Sequence, residues 1–139
     1  MSVTVLLAED QADNRDILAR RLTRQGYAVV EAEDGVVAVQ AFLRQTPDIV
    51  LMDLSMPNMG GLDAMKVIRE TASGRETPII ALTAHAMDSV REECLAAGFS
   101  AFATKPVDFA ALLRLMQTLV GAENSADDSG GAAGGQVRA

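Results

Sequence analysis

Tryptophan is missing from the 139 residues, and cysteine, histidine and tyrosine occur once each. Metal centres built on imidazole and thiolate need several such ligands, so zinc sites of that kind are excluded. The lone Cys94 cannot close an internal bridge, and its place among apolar residues at helical spacing marks it as a small buried side chain. Long apolar runs are also wanting. None approaches the roughly 20 residues that span a bilayer, so no membrane insertion is expected. Positive charge is scarce, with 12 Lys and Arg against 19 Asp and Glu and a net charge of -7. A phosphate backbone is normally gripped by clustered cations, so no nucleic-acid partner is expected. Met1-Ser2 lead straight into an apolar run that ends in Glu9-Asp10, without a basic leader, and a cytoplasmic protein is the expectation.

What is present is an alternation of short Val- and Ile-rich runs with longer amphipathic segments, the pattern of strand-helix units around a parallel sheet. The spacing predicts strands over Val3-Ala8, Tyr27-Ala32, Asp48-Asp53, Pro78-Thr83 and Ser100-Lys105. The first, third and fourth are near-continuous hydrophobic runs, as strands buried on both faces should be. The second and fifth are less so and suit edges. An α/β fold follows: a five-stranded parallel sheet of order 2-1-3-4-5, flavodoxin-like and doubly wound, with helices on both faces. Helical stripes of Leu18 with Leu22, of Val39 with Phe42 and Leu43, and of Leu112, Leu113, Met116, Leu119 and Val120 are expected to face it. Gly26 and Gly98 sit where helices stop, and Asp108 where the last one starts. The seven methionines are expected to fill core. Residues 1–120 form the expected domain. Residues 121–139, rich in Gly, Ala and Ser, are expected to be a flexible tail, since they bury too little to offset ordering.

In an open parallel sheet the ligand site lies beyond the carboxyl ends of the strands. Strand one ends in Glu9-Asp10, strand three in Asp53, strand four in Thr83 and strand five in Lys105-Pro106. Three carboxylates in one place repel, and a divalent cation between them resolves the conflict. An all-oxygen set with room for water fits Mg²⁺ better than a calcium cage. Asp53 can then act as nucleophile toward phosphorus. A transferred phosphoryl group spreads charge over three oxygens, for which the metal, the Lys105 ammonium and the Thr83 hydroxyl are partners. Each residue alone reads as an ordinary turn or strand exit; the set at one strand end does not.

With these residues the chain resembles the receiver domains of two-component response regulators, from about Thr4 to Val120. The resemblance rests on Leu6-Asp10 (LLAED), Ile49-Gly61 (IVLMDLSMPNMGG), Ala81-Ala84 (ALTA) and Thr104-Pro106 (TKP). It implies that Asp53 is the phosphoacceptor, that Glu9, Asp10, Asp53 and the Ser55 backbone carbonyl hold Mg²⁺, and that Thr83 and Lys105 sense the phosphate. It also implies a cis Lys105-Pro106 bond, Phe102 as the aromatic switch residue, and Ser55 and His85 as positions that tune acyl-phosphate hydrolysis. The runs Glu9-Arg15 and Thr83-Met87 look most like receivers of hybrid kinases and phosphorelays.

The expected function is thus a stand-alone, single-domain receiver phosphorylated by a sensor histidine kinase or a histidine phosphotransfer protein, which alters binding of a downstream protein target through a conformational switch. It would catalyse only its own phosphorylation and dephosphorylation. A receiver excised from a hybrid histidine kinase is the alternative that no residue excludes. A magnesium-dependent aspartyl-phosphate hydrolase would need a second Asp two positions after Asp53, where Ser55 stands. A flavin carrier of similar topology would need a hydroxyl-rich phosphate loop where Glu9-Asp10 would repel the ligand.

Overall fold

The computed structural model describes residues 2–85 and 87–125. The elements run β1 (Thr4–Ala8), α1 (Ala12–Arg24), β2 (Ala28–Ala32), α2 (Gly35–Gln45), β3 (Ile49–Asp53), α3 (Gly61–Arg69), β4 (Ile79–Thr83), α4 (Asp88–Ala97), β5 (Ala101–Thr104) and α5 (Phe109–Ser125). All pairings are parallel, in the order β2-β1-β3-β4-β5. This is the expected sheet. Each strand starts one residue later than its apolar run, and β5 also ends one earlier, at Thr104. Pro78, which has no N–H to give the ladder, lies just outside β4.

The strands divide their side chains between two cores, as the period of two requires. Leu6, Ala8, Val50, Met52, Ile79 and Ala81 face α2, α3 and α4, where they meet Phe42, Met65, Ile68 and Cys94. Val5, Leu7, Ile49, Leu51, Ile80 and Leu82 face α1 and α5, against Leu18, Leu22, Leu112 and Met116. All residues of β3 and β4 are buried, whereas β5 is half-buried and β2 mixes exposed and half-buried positions, as edges should.

Three expectations are corrected here. Leu43 is 55% exposed, because the turn that buries Phe42 carries the next residue about 100° round to solvent. Met87 is exposed at the N-cap of α4 rather than in the core. The last helix continues through Gly121 to Ser125, past the expected start of the tail, since Ala and Glu at 122 and 123 are good helix formers. The remainder of that tail lies outside the described residues. The predicted stops hold: Gly26 and Gly98 have φ of 98° and 131°. The predicted start holds as well, with Asp108 Oδ1 accepting from the Ala111 N–H at 3.1 Å.

Candidate functional site

The parallel sheet carries its chemistry to one end. Asp53 closes β3, Glu9 and Asp10 follow β1, Thr83 closes β4, and Lys105 follows β5. In register, Asp53 lies beside Leu82, and Thr83 beside Thr104. The Lys105 N–H donates to the Thr83 carbonyl at 2.7 Å, which ties the fifth strand's exit to the fourth's.

Lys105 Nζ lies 2.9 Å from Glu9 Oε1 and 2.8 Å from Asp53 Oδ2. The two carboxylates are almost wholly buried, while the lysine is a quarter exposed, so its stem reaches in from the rim. Burial by itself would lower the Lys105 pKa, but hydrogen bonds and charge from Asp53 and Glu9 outweigh it and raise the value above 10.5. Burial pushes the Glu9 carboxyl above 4.5, with the Asp53 charge adding to the rise and Lys105 and the Gln11 N–H opposing it. The protein therefore sets its own Lys105 ammonium against two of the acids, a pairing that the sequence alone does not reveal.

Carboxylate oxygens of Glu9, Asp10 and Asp53 come within 4.8 Å of one another. Three carboxylates against one ammonium leave two negative charges, the complement of a divalent ion. The donors are hard oxygens, and Asp10 is only half-buried, which leaves a solvent side for water or a phosphate oxygen. The residues thus fit a Mg²⁺ ion.

Around this cluster the structure assigns places to the other expected residues. The Ser55 N–H donates to Asp53 Oδ1 at 3.0 Å, fixing the rotamer of the carboxylate. Gly61 lets α3 begin against the same strand end: a Cβ there would lie 2.2 Å from the Asp53 carbonyl oxygen. Thr83 is buried and its hydroxyl accepts from the N–H of His85 at 3.0 Å, while His85 itself is exposed. The Lys105-Pro106 bond is cis. Phe102 stands in β5 beside Ala81 of β4. It is half-buried on the sheet face covered by α2, α3 and α4.

Two residues that sequence reasoning missed hold loops at this end of the sheet. Arg15 of α1 donates from Nη1 to the Glu9 carbonyl at 2.8 Å and pairs through Nε with Glu31 at 3.3 Å. Nothing in a helix-face pattern signals that contact. Asp34 caps α2, accepting from the Val37 N–H at 2.9 Å. An acid placed just before a Gly-Val-Val helical start is a readable capping signal.

The response regulator receiver domain model matches residues 5–117. The transcriptional regulatory protein PdtaR of Mycobacterium tuberculosis is 39% identical over 117 residues, which cover 84% of this chain and 56% of PdtaR, so the chain spans little more than half of that relative. The receiver domain of the sensor histidine kinase PA1611 from Pseudomonas aeruginosa, solved with magnesium coordinated in its active-site cleft, superposes with a TM-score of 0.81 at 39% identity, covering 87% of this chain and 99% of that one. The receiver domain of Ssk1 from Saccharomyces cerevisiae, solved together with the histidine phosphotransfer protein Ypd1, gives a TM-score of 0.81 at 26% identity, covering 88% and 91%. Fold, strand-end acids and family match agree: the chain belongs to the response regulator receiver domains.

Proposed function

We propose that the chain is a phosphoryl-accepting switch in which Asp53 takes a phosphoryl group from a phosphohistidine on a sensor histidine kinase or a histidine phosphotransfer protein. An Asp53 carboxylate oxygen attacks phosphorus, the P–N bond breaks, and the imidazole departs with the electron pair and takes up a proton. Lys105, already bonded to Asp53, is placed to follow charge from the carboxylate to a phosphoryl oxygen. Thr83 holds its hydroxyl at the neighbouring strand end for a second oxygen. Glu9, Asp10, Asp53 and the Ser55 carbonyl would hold Mg²⁺, which when bound neutralises charge on the transferring group. Beside the acids a cavity of about 400 Å³ is lined by Glu9, Ile17, Leu18, Lys105, Val107 and Phe109. It offers an apolar seat next to the acceptor for the partner that carries the histidine.

The switch then runs through Thr83 to Phe102 and alters binding of a downstream protein, with Ser55 and His85 setting how long the acyl phosphate lasts. Catalysis is confined to the chain's own phosphorylation and dephosphorylation. The receiver comprises the elements from β1 to the end of α5 at Ser125. No helix among the described residues is long and apolar enough to cross a membrane.

The observation that carries this reading is the Lys105 ammonium bridging Glu9 and Asp53 in a pocket where a third acid converges. A small phosphodonor with Mg²⁺ is expected to label the wild type, and Asp53→Asn to abolish the label. Equal labelling of both refutes the assignment.

A further inference from the structure

The buried polar side chains among the described residues are Glu9, Asp53 and Thr83, which stand at the strand ends just described, and Asp34, which does not. Asp34 follows β2 at the edge of the sheet and precedes α2. Both of its oxygens are engaged. Oδ1 accepts from the Val37 N–H at 2.9 Å as a helix cap, and Oδ2 accepts from the Asn58 side-chain amide at 2.7 Å. Capping needs only the first. The second reaches across 24 positions of sequence to the loop that leaves Asp53.

That loop is held at other points through backbone N–H groups. The Gly35 N–H donates to the Met59 carbonyl at 3.0 Å, and a Cβ on Gly35 would lie 2.2 Å from the same oxygen. Asn58 holds a left-handed φ of 66°, which Asn tolerates better than most residues. At the loop's near end, Ser55 N–H is bonded to Asp53 Oδ1. At its far end, Gly61 N–H donates to the Leu54 carbonyl at 3.2 Å. Ser55 therefore stands between an acceptor carboxylate it touches and a turn held by Asp34.

We infer that Asp34 is a positioning residue for the metal and phosphoacceptor site, acting through Asn58 on the loop that presents the Ser55 carbonyl. The inference rests on the proposed reading of that carbonyl as a metal ligand. Without the Asp34–Asn58 bond the turn is held by fewer contacts and the loop spends less time in the competent conformation. Apparent metal affinity falls by the fraction lost. Outer partners of metal ligands typically affect affinity about 10–100-fold, and a loop restrained at other points belongs at the lower end, about tenfold.

The test is a Mg²⁺ titration of the full chain followed by NMR at the amides of Asp53 and Ser55. Asp34→Ser keeps a good cap but removes the oxygen that reaches Asn58, and Asn58→Gly removes the amide while accepting the left-handed φ. Leu119→Ala, remote in α5, controls for lost stability. Expected are about tenfold weaker Mg²⁺ binding in each single variant, no further loss in the double variant, and wild-type binding in the control. Wild-type affinity in both single variants overturns the inference, and so does a double variant weakened by the product of the two effects, since Asp34 would then act by another route. If the wild type itself shows no Mg²⁺-dependent shift at Asp53, the metal reading of the site fails first.

Discussion

Lys105 is one ammonium shared by two buried carboxylates, and the balance between them sets two expectations at the scale of single residues. Removing it as Lys105→Met in magnesium-free buffer strands Glu9 and Asp53 with no counter-charge. Leaving a buried charged partner unmet costs roughly 1–3 kcal/mol or more, so the urea midpoint is expected to drop, and an unchanged midpoint argues against the bridge. Asp34 offers a pH test. The Val37 N–H and then the Asn58 amide hold its carboxyl below its ordinary 3.8, with burial working against them. A carboxyl depressed on folding stabilises above its unfolded pKa, and the effect is lost as pH falls through the folded value. The stability gap between the wild type and Asp34→Ser is therefore expected to be full from about one pH unit above the ordinary 3.8 and to close as pH falls below it; a gap that persists under acid contradicts the ionised carboxylate. Glu9, Asp10, Asp53, Thr83 and Lys105 were legible in the sequence because strand ends are signalled by where apolar runs stop. The Asp34–Asn58 bond spans 24 positions between two loops, and Arg15 reaches back from α1 to the Glu9 carbonyl; no local period encodes either contact.

At the scale of elements, Arg69 joins parts that the sequence shows only as separate loops. From the end of α3 it donates to the carbonyls of Gly98 at 3.0 Å, Gly74 at 2.8 Å and Thr77 at 2.6 Å, and to Ser100 Oγ at 3.2 Å. These sit in the turns before β4 and β5. One guanidinium thus fixes the entry of two neighbouring strands whose far ends carry Thr83 and Lys105. Arg69→Ala is expected to destabilise by on the order of 2–3 kcal/mol, from several charge-assisted bonds lost together. Urea denaturation reads it, and a change within about 0.5 kcal/mol, as for an ordinary surface site, goes against the clamp. Element order and sheet order followed from hydrophobic period. Details departed from the expected pattern at single positions and at ends: Leu43 and Met87 face solvent, and α5 runs on past Gly121. In α4 the only residue buried is Cys94.

The whole molecule turns a sequence-remote set of acids into one pocket because parallel strands all deliver their ends to the same edge. Residues of β3 and β4 are all buried, whereas the edge strands β2 and β5 keep exposed or half-buried positions, so Asp53 closes a dry central strand and Phe102 lies on an edge one. The account stands or falls on which oxygen receives phosphorus. The direct measurement is labelling with a small phosphodonor and Mg²⁺, reduction of the acyl phosphate with borohydride, and tandem mass spectrometry of the peptides. The predicted result is reduction of the side chain at position 53 to homoserine and nowhere else. Reduction at Glu9 or Asp10, or phosphate retained on Ser55 or His85, would contradict it.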